Sequence, residues 1–173
     1  MAITAACGDD DSGPPPGATR AALTAESLVP DLGSLGYRLD QQERDAASVA
    51  GADVWRVIWQ KTGTLNGALA KIYVFAAEDV ATEQFGALSA ALRNPPPDFL
   101  GGAKATWVDT ASPAAGEQQK AYVTRDADPQ GNRAWTDIYR FGRVVVIVQL
   151  LDVGQDQTTQ RTALASKFAE KAK

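Results

Sequence analysis

Val144–Leu151 reads VVVIVQLL, and this stretch decides the fold. A strand that alternates polar and apolar residues keeps one face in water. This one offers apolar side chains to both sides, broken only by Gln149, as a central strand covered on both faces does. Residues 133–140 precede it as a partner strand. Between them Phe141-Gly142-Arg143 predicts a tight hairpin in which Gly142 supplies a positive φ. Residues 156–173 follow as an amphipathic helix. Leu164, Phe168 and Ala172 form its apolar stripe, Ala165 and Ala169 flank it, and Lys167, Lys171 and Lys173 suit its negative end.

Moving outward, residues 53–60 (DVWRVIWQ) are rich in β-branched and aromatic side chains, with Trp55, Val57 and Trp59 on one face and Val54, Arg56 and Ile58 on the other. Both faces of this strand are expected to be at least partly covered. A turn cluster over 62–67 leads to a returning strand at 70–75. Residues 78–93 then have helical spacing through Ala81, Phe85, Leu88 and Leu92, with Glu78 and Asp79 in the first turn, before Pro95-Pro96-Pro97 stops the helix. Further strands are predicted at 104–109 and 119–125. Near the start, residues 18–30 suggest a short helix ended by Pro30, and a turn through Gly33 and Gly36 leads to a strand at 37–39. Residues 41–50 carry no clear signal. The expected class is α+β: an antiparallel sheet with helices packed on it and a closing C-terminal helix. Strands followed by a helix occur twice, without a sequence repeat. This order and the terminal hairpin-plus-helix resemble small extracytoplasmic domains of the PsbP-like and sensor-lipoprotein kinds.

The amino terminus supplies an address. Ile3-Thr4-Ala5-Ala6-Cys7-Gly8 resembles a bacterial lipobox, with Ala5 and Ala6 at the small positions, Cys7 as acceptor, and Thr4 where Leu is usual. The resemblance implies that Cys7 becomes the lipidated first residue of a mature lipoprotein in the extracytoplasmic envelope. The charged and apolar regions of a secretion signal do not precede it, so residues 1–19 are read as a truncated signal and a tether. Asp9-Asp10-Asp11-Ser12-Gly13-Pro14-Pro15-Pro16-Gly17 has no side chain able to join a core. Its charge repulsion and prolines make it a spacer. An ordinary frayed tail with a free thiol is the bland alternative. Residues 20–173 form the single domain.

Composition narrows the chemistry. The 173 residues carry 17 basic and 21 acidic side chains, a net charge of −4 without clustered cations, which argues against a nucleic-acid partner. Hydrophobic residues at 45% and charged residues at 22% are those of a globular chain able to build its own core. There is no histidine and one cysteine, so the commonest general base, an internal disulfide and a Cys-rich zinc site are all missing. No apolar run reaches the ~18–20 residues of a membrane span, and contact with the membrane is expected through the anchor alone. Gly33-Ser34-Leu35-Gly36 has Leu32 at the first glycine position of a nucleophile elbow, and no histidine is present to activate Ser34. Carboxylate-pair hydrolysis of a surface glycan needs no histidine and stays open.

Two groups of residues are candidate sites. Numbered from Asp126, Asp128 and Asp137 fall at positions 3 and 12 of an EF-hand-like loop, with Gln130 at position 5 and Gly131 at position 6. Calcium is the one cofactor this spacing suggests. A hairpin loop of turn-forming residues explains the same composition. Trp135, Asp137 and Tyr139 share one face of a strand and could present rings and a carboxylate to a ligand. If Ile138 faces the core those groups stand outward; otherwise Asp137 points inward and needs a partner. The expected function is non-enzymatic binding of a ligand or envelope partner, with a glycan hydrolase or a structural surface module as alternatives. Calcium binding at Asp126–Asp137 would raise the thermal midpoint on calcium addition and lower it with chelator; an unchanged midpoint at millimolar calcium removes the ion.

Overall fold

The strand that is apolar on both faces sits in the middle of the sheet. In a computed structural model describing residues 23–45, 49–62, 67–93, 106–127, 133–151 and 157–173, seven strands pair antiparallel: β1 (Tyr37–Arg44), β2 (Asp53–Lys61), β3 (Gly67–Val74), β4 (Trp107–Thr110), β5 (Gln118–Thr124), β6 (Trp135–Phe141) and β7 (Val144–Leu151). Their spatial order is β1-β2-β3-β7-β6-β5-β4, so β7 is fourth of seven. The lipobox, the spacer, the 63–66 turn, the proline stop, Asp128 and Gln130 lie outside the described residues.

Two helices cover the two faces. On one side Val145 and Ile147 of β7 join Ala81 and Phe85 of α1 (Glu78–Ala91) in a cluster completed by Val54, Tyr73, Trp107, Tyr122 and Ile138. On the other, Val144, Val146, Val148 and Leu150 meet Leu164, Ala165 and Phe168 of α2 (Thr158–Lys171). Ala68 and Ala70 of β3 lie under the same helix, and their small side chains leave room for it. Trp59 meets Phe168 edge to face, centroids 6.2 Å apart at 79°, an arrangement that adds to their area burial. Cutting Leu164 to Ala would cost about 2–5 kcal/mol. The α+β antiparallel architecture with a closing helix is thus observed, with one helix on each face.

Several local outcomes differ from the sequence reading. The unassigned polar stretch after Leu39 is strand: β1 continues to Arg44 along the sheet edge, exposed after Tyr37, with a register shift between Leu39 and Gln41. An exposed edge strand needs no apolar alternation, so its sequence carries no strand period. In the described part of the helix expected at 18–30 there is one 3-10 turn, Glu26–Leu28, whose Leu28 is buried. Extended backbone at Val29 and then Pro30 end it. Ser89 joins Ala81 and Phe85 on the buried stripe of α1, and its hydroxyl donates to the Phe85 carbonyl at 2.6 Å. Within β7, Gln149 is 1% exposed and donates to the Thr136 hydroxyl at 3.1 Å.

The β6–β7 turn has the predicted glycine: Gly142 has φ 54° and Arg143 a negative φ, the sign pattern of a type II′ hairpin. Gly116, on the neighbouring β4–β5 connection, is more constrained. Its φ is 70°, and a Cβ there would stand 2.4 Å from the Arg140 carbonyl oxygen. Gly142→Ala should therefore cost about 1–2 kcal/mol from backbone strain alone, whereas Gly116→Ala adds a backbone collision and costs more. Urea midpoints of the two variants check the order, and equal losses would contradict the close approach.

Candidate functional site

β6 has both faces covered, so both conditions weighed for its side chains hold together. Ile138 is buried under α1, while Asp137 and Tyr139 are buried under α2. Asp137 points inward, and its partner is Arg161. From the first turn of α2, Arg161 donates through Nε to Oδ2 at 2.8 Å and through Nη2 to Oδ1 at 2.6 Å, with both side chains 4% exposed. Nη2 also donates to the Ala111 carbonyl at 2.8 Å, and the guanidinium carbon lies 4.6 Å from the Trp135 ring centroid. One cation thereby ties α2 to β6 and to the loop after β4, in the planar two-pronged geometry that arginine alone provides.

Burial pushes the Asp137 carboxyl above the usual carboxylate range, opposed by the hydrogen bonds and charge of Arg161. Burial and the neighbouring Asp137 charge also raise the Tyr139 hydroxyl, which stays protonated. Trp135 Nε1 is buried without a hydrogen-bond partner. Trp135, Asp137 and Tyr139 are therefore brought together, with Asp137 and Tyr139 inside the molecule and Trp135 half-buried beside them, and the reading of the carboxylate and the phenol as an outward ligand surface is corrected. The same burial detaches Asp137 from the calcium constellation. It pairs with Ala121, five residues before Asp126, and both its oxygens accept from Arg161. Any cation held by Asp126, Asp128 and Gln130 would be held without it.

Arg161 was missed in the sequence, and the missed signal is positional. It lies three residues before Leu164 on the buried stripe of α2, and a cation there requires a buried acid.

An accessible site lies elsewhere, at the end of the sheet where β6 turns into β7. A groove of about 810 Å³ is lined by Phe141, Gly142, Arg143 and Val144 from the hairpin, Ala169, Lys171, Ala172 and Lys173 from the end of α2, Gly116 and Glu117, Glu78 at the start of α1, and Leu23. Glu117 is already engaged: it pairs with Arg140 at 2.5 Å and accepts from the Gly142 N–H at 3.1 Å. Arg143 reaches the Phe75 carbonyl at 3.4 Å. Lys171 and Lys173 are exposed and have no ion pair among the described residues. The sequence shows these lysines, but as ordinary helix-end cations; only the fold sets them beside Arg143. No group of three or more His, Cys, Asp or Glu able to hold a metal occurs among the described residues, and none of their helices is long and apolar enough to cross a membrane.

No family model and no curated protein matches this sequence. Among solved structures, the chain is similar to the crystal structure of the extracellular domain of PknH from Mycobacterium tuberculosis, with a TM-score of 0.57 and 11% identity over 87% of this chain and 91% of that one. What they share is the fold.

The buried pair makes a prediction with a definite pH sign. Arg161→Met leaves the Asp137 charge without its partner, a loss of about 3–5 kcal/mol at neutral pH. The carboxyl pKa then rises further, so between about pH 4 and that pKa the folded state holds a proton that the unfolded chain releases. Stability of the variant therefore improves as pH falls from 7.5 to 5. Adding Asp137→Asn should flatten this slope. Chemical denaturation at the two pH values checks it, and a loss independent of pH would argue against a charged Asp137.

Proposed function

We propose that this chain is a non-enzymatic extracytoplasmic domain, held at the cell envelope by a lipid on Cys7, that binds its ligand or envelope partner in the groove beside the β6–β7 turn. The groove carries the reading. Its volume falls within the ~300–1,000 Å³ of small-molecule sites, and it combines apolar lining with a few charged groups. The lipobox-like residues and the acidic, proline-rich spacer support the anchor. A fold similar to the extracellular domain of a kinase supports placement outside the cell, since that architecture serves there in another protein. A carboxylate-dependent hydrolase would have to draw on Glu78 and Glu117 in this groove, and Glu117 is already paired with Arg140. That favours binding over catalysis.

Two measurements test the proposal. The full-length precursor, labelled with a fatty-acid analogue in a bacterial host, should incorporate the label, and Cys7→Ser should not; unmodified Cys7 in the membrane fraction ends the anchor reading. Native mass spectrometry of protein purified from its own envelope should show a small-molecule adduct that disappears in Ala169→Trp, which fills the groove. An adduct that persists in that variant places the ligand elsewhere.

A further inference from the structure

The groove has an uneven distribution of charge and of apolar surface, and the two together specify a ligand. The chain carries a net charge of −4, yet three of the five charged residues lining the groove are cations: Arg143, Lys171 and Lys173. Of the two acids, Glu117 is engaged by Arg140 and by the Gly142 N–H. Glu78 sits in the first turn of α1, where the helix dipole already favours its charge. The cations come from two separate elements. Arg143 is placed by the two-residue turn, Lys171 by the last turn of α2, and Lys173 follows that helix, so helix-end preference accounts for the lysines and not for their lining one groove with Arg143.

Apolar surface is left open beside them. Leu23, Phe141, Ala169 and Ala172 line the groove and are only partly buried; among the described residues the exposed large hydrophobics, Leu39 and Val80, lie outside it. Excess positive charge next to unfilled apolar lining matches a molecule with an acidic head and a hydrocarbon body. We infer that the groove takes a single anionic amphiphile, its chain against Leu23, Phe141, Ala169 and Ala172 and its carboxylate or phosphate head against Arg143, Lys171 and Lys173. This rests on the groove being the binding site and names the chemical class it selects.

Isothermal titration of the unlipidated full chain with alkyl probes below their micellar concentrations tests the inference. Dodecanoate and dodecyl phosphate should bind, and dodecyltrimethylammonium should not. Affinity should rise by up to about fourfold per methylene from octanoate to dodecanoate, the factor equivalent to ~0.8 kcal/mol per buried CH₂. Lys171→Glu with Lys173→Glu should weaken binding by about tenfold or more while lowering the thermal midpoint only slightly, because both side chains are exposed and the new charges oppose the helix dipole alone. Ala169→Trp should abolish binding.

Inorganic phosphate binding as tightly as dodecyl phosphate would overturn the inference in favour of a simple anion site. Binding to phosphatidylglycerol vesicles without binding to monomeric probes would make the surface a membrane contact instead. Binding that appears only when Asp9, Asp10 and Asp11 are replaced by Asn would make the chain's own acidic segment the occupant. If every probe fails while the envelope adduct persists and is lost in Ala169→Trp, the groove stands and the ligand class falls; if the adduct too is insensitive to Ala169→Trp, the groove itself falls.

Discussion

A strand with hydrocarbon on both sides cannot lie at a solvent boundary, and this constraint organises the rest of the chain. β7 must be flanked by strands and roofed on both faces, since apolar surface left in water costs roughly 25 cal/mol per Å². β3 and β6 supply the flanks, and α1 and α2 the roofs. The two meanders, β1-β2-β3 and β4-β5-β6-β7, meet along β3 and β7. α2 can approach this seam closely because Ala68 and Ala70 lie beneath it.

The Asp137–Arg161 pair contributes definition more than net stability. Desolvating two charges costs much of what their attraction returns. The cost of separating them is large, however, and falls on any arrangement in which α2 slips by a turn or β6 by a residue. A one-residue slip of β6 would turn Asp137 towards α1 and away from its cation. Arg161 also donates to the Ala111 carbonyl and stacks on Trp135, so one side chain fixes a helix, a strand and a loop. This is why the most conspicuous polar residues of β6 are occupied within the fold and why the accessible groove forms elsewhere.

Legibility in the sequence followed apolar pattern. β7, the Gly142 turn, α1 and α2 announce themselves through continuous or periodic burial, and Gly142 through its backbone requirement. The continuation of β1 past Leu39 does not, because a strand exposed at an edge has no alternation to show. Asp137 was visible as a carboxylate among aromatics, but its partner lies 24 positions later, and no local spacing connects them. The groove was least legible of all. Leu23, Arg143, Ala169 and Lys171 are unremarkable separately and acquire meaning only where the hairpin tip, the end of α2 and the start of the domain converge.

The two margins of the sheet have a further consequence. β4 is four residues long, and β1 presents Arg38, Asp40, Glu43 and Arg44 along a strand interrupted by a register shift. Short length, alternating charge and a broken ladder each discourage a second sheet from continuing the hydrogen bonding. Copies of a domain at high local concentration meet often, and an unguarded margin would then seed fibrils. The polar border along β1 thus lets many copies crowd together as separate molecules.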